Sequence, residues 1–328
     1  MTWLTWRQHR AEAIMLGLLV AVTGVTLLAL GLPMHSLFPD GAARCVGMQP
    51  GASDPCSIAL GRLWEEHGYA SKMLSLFNLL PFVIGAFLGA PLLARELEQG
   101  TWQLAWTQAI PRVRWLAVKL AALSALTGAL ALVLTAVITW YRRPLDTLDG
   151  RFTADAFDLE GLAPTAYALF AFAAGAAAGT LLRRSLPALA AALAAYLCVR
   201  IAVAGWLRPE YRTPRTLIED VAANDATIDV GSPRMETGSH LDWALTSGYA
   251  DSTGRHLALP EVLDMDTAAE RAGVDLSTYM HENGVQQWVV YHPADRFWTF
   301  QLIEAAIFVG LATILLTFVV WRIKRRAM

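Results

Sequence analysis

LSLFNLLPFVIGAFLGAPLLARELEQGTWQLAWTQAIPRVRW, residues 74–115, carries the two features from which the rest of this chain can be read. One is a predominantly apolar run from Leu74 to Ala94. The other is a short charged and aromatic segment that leads back to a second apolar run at Leu116. A hydrocarbon core about 30 Å thick takes about 20 helical residues to cross, because each residue rises about 1.5 Å and lipid offers no partner to an unpaired backbone group. The run from Leu74 meets that length. So do Ala13 to Leu32, Leu116 to Trp140, Pro164 to Leu182, Leu186 to Leu207 and Trp298 to Trp321.

The composition points the same way. Of 328 residues 55% are hydrophobic and only 16% charged, which is too apolar for an ordinary soluble domain of this length. The sequence therefore predicts an all-α integral membrane protein with six transmembrane helices. Residues 1–12, with Trp3 and Trp6 beside Arg7 and Arg10, read as an N-terminal interfacial helix. Residues 13–207 hold the first five spans, and 298–328 the sixth span with a basic tail. The first run is longer than the usual 7–15-residue signal-peptide core, and no clear small-x-small cleavage site follows it.

Lys and Arg in the short flanks set the orientation. With the N-terminus inside, the inner flanks hold 11 basic residues and the outer short loops 6. Both termini are expected on the cytoplasmic side of a cytoplasmic (inner) membrane, crossed several times. Between spans five and six, residues 208–297 contain 15 acidic residues against 7 arginines. Turn clusters such as Gly231-Ser-Pro233 alternate there with helix-periodic pieces such as Pro260 to Arg271, so a small, mainly helical extracytoplasmic domain is expected. It shows no metal-ligand motif: His281-Glu282 lacks the second His of a zinc-protease helix. In the first outer loop, Cys45 and Cys56 flank a stretch rich in Gly and Pro and are candidates for a disulfide. Closing so short a ring would contribute about 3 kcal/mol in the chain-entropy model.

The segment after Ala94 carries most of the functional content. Gly100 interrupts the helix that Arg95 and Glu96 continue, and Thr101 is a good N-cap. Trp102, Ala105, Trp106 and Ala109 then make one apolar stripe, and Pro111 stops it. Arg112 and Arg114 anchor the return into the membrane. Such an elbow lies on the inner surface and offers carboxylates to a soluble partner.

The pattern Glu96-Leu-Glu98-Gln-Gly100-Thr101, followed by Leu104 and Pro111-x-x-Arg114, resembles the inner loop of type-2 ATP-binding-cassette (ABC) transporter permeases. The six-span layout resembles that family over nearly the whole chain. The resemblance implies that residues 95–114 form the coupling loop to an ATPase. It assigns that role to Glu96, Glu98, Gly100 and Thr101, with Arg95, Pro111 and Arg112 beside them. It implies two copies of the ATPase, a second permease protomer in a homodimer, and export driven by ATP and Mg held in the partner. The outer domain is larger than the corresponding loop of many members. No cofactor is expected in this chain, and neither catalytic residues nor a nucleic-acid partner are. A phosphate-binding loop needs Gly-Lys before Ser or Thr, and Lys72, Lys119 and Lys324 all lack the preceding Gly. The other class that fits is a membrane-anchored sensor or binding protein acting through residues 208–297.

Two charges fall inside the apolar runs: Arg200 lies seven residues from the outer end of span five, and Glu304 six from that of span six. Each costs about 2.5–3.5 kcal/mol near a bilayer centre on insertion scales, so an ion pair between them is expected. In the resembling family the second and fifth spans face the substrate path, which makes Asn78, Phe82, Leu197 and Arg200 its candidate lining. Gly85-Ala-Phe-Leu-Gly89 and Gly175-Ala-Ala-Ala-Gly179 are small-xxx-small patterns that allow close helix contact, within one protomer before any dimer seam.

Overall fold

The computed structural model describes residues 2–46, 54–67, 74–98, 112–223, 239 and 241–325. In chain order its main elements are α1 (Thr2–Ser36), α2 (Leu80–Glu98), α3 (Arg112–Asp149), α4 (Ala163–Leu182), α5 (Ser185–Ala202), β1 (Arg215–Asp220), β2 (Trp243–Ala250), α6 (Leu259–Ala272), α7 (Leu276–Glu282), β3 (Gln286–His292) and α8 (Phe297–Arg325). They divide into two compact units. One comprises residues 1–148, 153–208 and 298–328, the other 149–152 and 209–297.

The first unit is helical. Among the described residues, five helices are long and apolar enough to cross a membrane: His9–Ser36, Arg114–Asp149, Ala163–Leu182, Ser185–Glu210 and Ala294–Arg325. The protein is thus a multi-pass helical membrane protein. The run from Leu74 behaves differently from the other five. Its first residues, Leu74–Leu79, form a 3₁₀ helix, and the α-helix begins only at Leu80. Pro81 fits the boundary, because it lacks the N–H that would bond back to Phe77 in a continued α-helix and so sits best in a first helical turn.

Residues 2–12, expected as an interfacial helix leading into the first span, run into that span without a break, and α1 has 35 residues. No Gly or Pro precedes Gly17 to interrupt it. At about 1.5 Å per residue the helix reaches about 52 Å, longer than the hydrocarbon core. Its buried residues Ala13, Leu16, Val20, Leu27 and Met34 recur at helical spacing, yet the opposite face shows Ile14, Met15, Leu18, Val22, Val25 and Leu32. A helix apolar on both faces needs lipid or another helix against the outer one.

α4 is the buried centre of this unit, and its buried residues are almost all Ala, Gly, Phe or Tyr. Its closest neighbour is α2, and the two glycine pairs are the reason. A Cβ placed on Gly85 would lie 2.1 Å from the Ala168 carbonyl oxygen, and one on Gly89 2.1 Å from that of Phe172. From the other side, a Cβ on Gly175 would lie 2.7 Å from the Ala90 nitrogen, and one on Gly179 2.7 Å from the Ala90 oxygen. Both patterns therefore meet each other inside one protomer, backbone against backbone. Helix α4 ends where Arg183 takes the left-handed conformation at φ 57°, and extended Arg184 starts α5 at once.

Cys45 and Cys56 are joined in a disulfide, with Cα atoms 5.2 Å apart. Cys45 belongs to a buried cluster that includes Met34 of α1 and Tyr141 and Leu145 of α3, and Cys56 packs against it. Cys198 is free and exposed on α5.

The second unit corrects the expectation of a mainly helical segment. It is built on a three-stranded antiparallel sheet in the order β1-β3-β2, with α6 and α7 between the second and third strands. Trp288, Val289, Val290 and Tyr291 are the aromatic and β-branched types that favour a pleated strand, and they give β3 its central place. Val221, Tyr249, Val262, Met280 and Val285 form its core. Asp275 caps α7 by accepting from the Thr278 amide at 2.9 Å. Hydrogen bonds from the Ser277 and Thr278 hydroxyls and that amide hold its carboxyl down at about 2. Asp251 is likewise held at about 2, first by the Thr253 hydroxyl at 2.5 Å.

Candidate functional site

The first unit gathers its polar chemistry at two places. The first is the end of α2, which leads into the segment 99–111. Here Arg95 places Nη1 2.7 Å from Glu12 Oε1, tying the last turn of α2 to α1. Lys119 of α3 is buried, its Nζ donates to the Leu92 carbonyl at 3.3 Å and sits 5.1 Å from the Trp115 ring centre. A cation near a helix C-terminus is favoured by the carbonyls that point there. His9 is also buried, and neither ring nitrogen has a hydrogen-bond partner among the described residues. Beside this end lies an open cleft of about 430 Å³, walled by Met15, Phe87, Pro91, Leu186 and Leu189, with Glu12 and Arg95 on its lining. Its chemistry is that of an apolar trough with one ion pair.

Among the residues expected to couple to a partner, Arg95 is engaged as just described. Glu96 and Glu98 lie in the final turn of α2, and Arg112 opens α3. Gly100, Thr101 and Pro111 lie outside the described residues.

The second place is a buried charge cluster. Arg208 Nε donates to Glu304 Oε2 at 2.8 Å, and its Nη2 to Glu304 Oε1 at 2.7 Å, a bidentate pair. The same Nη2 reaches Asp158 Oδ1 at 2.6 Å. Arg200 Nη2 lies 2.8 Å from Asp158 Oδ2 and its Nη1 3.3 Å from Glu304 Oε1. The Tyr167 hydroxyl donates to Glu304 Oε1 at 2.5 Å, while its ring lies under the Arg200 guanidinium, 3.8 Å from Cζ to ring centre. Two guanidinium groups and two carboxylates thus neutralise one another where each alone would carry a desolvation cost of several kcal/mol.

One turn before Glu304 on the same face, Gln301 Oε1 accepts from the amides of Leu162 and Ala163 at 3.1 and 2.9 Å, and its Nε2 donates to the Phe157 carbonyl at 2.9 Å. It satisfies the first turn of α4 in place of a serine or aspartate cap. Nearby, Arg142 Nε reaches Glu160 at 2.9 Å and Asp146 at 3.3 Å. Arg142 is thus buried among carboxylates.

Arg200 and Glu304, singled out for matching depth, do meet, but Glu304 takes its shorter contacts from Arg208. Sequence reasoning missed Arg208, Asp158, Tyr167 and Gln301. The available signal was the Gln301-x-x-Glu304 spacing, two polar groups on one face of an apolar helix. The four expected path residues have separate surroundings. Phe82 is buried with its ring 5.3 Å from Tyr196, Asn78 is half-buried, Leu197 is exposed, and Arg200 belongs to the charge cluster. Among the described residues no group of His, Cys, Asp and Glu is placed to hold a metal ion.

Residues 17–208 match the family described as ABC-2 membrane transporter related. Neither a curated protein nor a solved structure matches the chain. The match takes in α1 from Gly17 onward, α2 through α5, the Gly85/Gly89 and Gly175/Gly179 seam, and the connection from α2 to α3. It covers more than half of the 328 residues. The chain therefore belongs to the ABC-2 membrane transporter related family.

Proposed function

We propose that this chain is the permease subunit of an ATP-driven exporter, six spans per protomer and two protomers per complex, with ATP and Mg bound by two copies of a separate ATPase. The carrying observation is the family match, which includes the end of α2 with Glu96 and Glu98 and the connection to α3 with Gly100 and Thr101. Permeases of this family generally work with an ATPase partner. The exposed apolar face of α1 supports a neighbour in the membrane. In this reading both termini and the segment 95–114 face the cytoplasm, and residues 208–297 stand on the other side of the cytoplasmic membrane. ATP-driven closure of the ATPases pushes the end of α2, and the differential affinity of ATP for the two states supplies the free energy of the shift. The apolar trough beside Arg95 takes the apolar part of the cargo.

The test is a mild-detergent pull-down of the tagged chain from its host, with ATPase assay, comparing the wild type with Glu98→Arg. An ATPase that accompanies the wild type and is lost from the variant supports the reading. Absence of any ATPase from the wild type removes it.

A further inference from the structure

The sheet of the second unit has two edges, and they differ. The β2 edge is interrupted at both ends: its ladder shifts register between Ala244 and Thr246, and Ala250 bridges to His256. A bulge of this kind is a common way to blunt a sheet edge. The β1 edge has none of this. Its six residues pair with β3 in unbroken register from Arg215↔Tyr291 to Asp220↔Gln286, and among the described residues no strand lies on its other side. Five of the six residues are exposed, including Ile218 at 57%.

The ladder also fixes which backbone groups are free. The Val221 amide donates to Val285 O at 3.2 Å, so the odd-numbered residues of this strand turn their N–H and C=O toward β3. By the alternation of an antiparallel ladder, those of Thr216, Ile218 and Asp220 face outward.

We infer that β1 pairs antiparallel with β1 of a second copy of this chain, about a two-fold axis at Leu217. A two-fold pairing of identical strands must set a residue opposite one of the same parity, so that outward-facing groups meet outward-facing groups. Centring on Leu217 does this and puts Thr216 opposite Ile218 in the hydrogen-bonded rungs. It also places Leu217 opposite itself and Arg215 opposite Glu219, twice, in the non-hydrogen-bonded rungs where side chains come closest. The Arg-Thr-Leu-Ile-Glu strand is therefore complementary to itself in charge and in apolar content. An edge guarded against its own copies would carry like charges at these two positions. The pairing rests on the homodimer reading above and adds its contact surface in the second unit.

The test is cysteine cross-linking of the full chain in membranes, in a Cys198→Ser background whose other two cysteines are already bridged. Facing Leu217 positions would have Cα atoms about 4.5 Å apart, within disulfide reach, whereas two Ile218 positions would be offset diagonally by two rungs and fall beyond it. Leu217→Cys is expected to give a covalent dimer on a non-reducing gel, and Ile218→Cys at least fivefold less. Arg215→Glu or Glu219→Arg added to Leu217→Cys should each reduce the dimer severalfold, and both together should restore it. These exposed charge changes leave folding aside. No dimer from Leu217→Cys, equal dimer from Ile218→Cys, indifference to the charge reversals, or a covalent adduct with another protein would each overturn the pairing. An ATPase that still co-purifies in such a case leaves the transporter reading standing.

Discussion

Gly89→Ala tests the seam between α2 and α4, where the structure leaves least room. The added Cβ would stand 2.1 Å from the Phe172 carbonyl oxygen, 2.8 Å from its carbon and 2.9 Å from its Cα. Ordinary close approach of carbon to oxygen is about 3.3 Å, so the helices must part by about 1 Å. The obstacle is backbone, which no rotamer change relieves, so the upper part of the usual overpacking cost of about 1–3 kcal/mol applies. Alanine recovers up to about 1 kcal/mol of helix propensity, leaving a net loss of about 2 kcal/mol. Gly17→Ala is the matched control, since nothing lies within 4 Å of its added Cβ. That change should be neutral or stabilising by up to about 1 kcal/mol. Thermal unfolding of the two detergent-solubilised variants, followed by size-exclusion chromatography, measures the contrast. If Gly89→Ala proves as stable as Gly17→Ala, the backbone contact between α2 and α4 is wrong.

Three other outcomes are expected. Glu304→Leu or Arg208→Leu alone strands a buried opposite charge and should cost about 3–5 kcal/mol, whereas the double change should cost less than either; a double-mutant cycle on unfolding midpoints reads this. Cys56→Ser opens an 11-residue separation and should lower stability by about 3 kcal/mol, with a matching drop when the wild type is reduced. The third concerns acid. His292 is buried, its Nε2–H donates to the Pro209 carbonyl at 2.9 Å and its Nδ1 accepts from Arg296 at 3.1 Å, so the neutral ring satisfies both partners. Burial, and then Arg296, lower its pKa below the ordinary value of about 6.5. The unfolded chain therefore binds the proton more readily, and the stability gained by the neutral ring is full above pH about 6.5 and declines as pH falls below it. Hydrogen exchange of the β3 amides should become faster at pH 5.5 than at pH 7.5 after correction for intrinsic rates, and His292→Gln should flatten the difference.

The membrane class of the chain was legible because it rests on run length, and length is a local property. So was the close approach of small residues, since Gly85, Gly89, Gly175 and Gly179 can only serve contact when they recur at one face. What the run lengths hid was the start of α2. Leu74 to Leu79 are apolar apart from Ser75 and Asn78, and hydropathy does not register that Pro81 lacks the N–H that an α-helix continued from Leu74 would use. The second unit was misread for a related reason. Its strands are six to eight residues long, and β1 carries three charged residues in six, so no alternation stood out against the clear helical period of Pro260 to Arg271.

The charge cluster shows where a single sequence stops being informative. Depth along two apolar runs was enough to set Arg200 and Glu304 at one level, because rise per residue converts sequence distance into height. Height says nothing about which face a third residue occupies. Asp158 comes from the segment between α3 and α4, and Arg208 from the turn after α5, so neither belongs to a run whose phase could be read. Their joining has a consequence that links the two polar places of the first unit. Tyr167 and the first turn of α4 are bound to Glu304 and Gln301 of α8, and α4 is in backbone contact with α2 along the glycine seam. Packed backbone does not compress, and a bidentate guanidinium–carboxylate pair does not shear without losing both bonds. In the proposed permease a displacement imposed on the Arg95 end of α2 would be passed to α4 and through it to α8. Loosening the seam at Gly89 and breaking the pair at Glu304 should interrupt the same motion at two points.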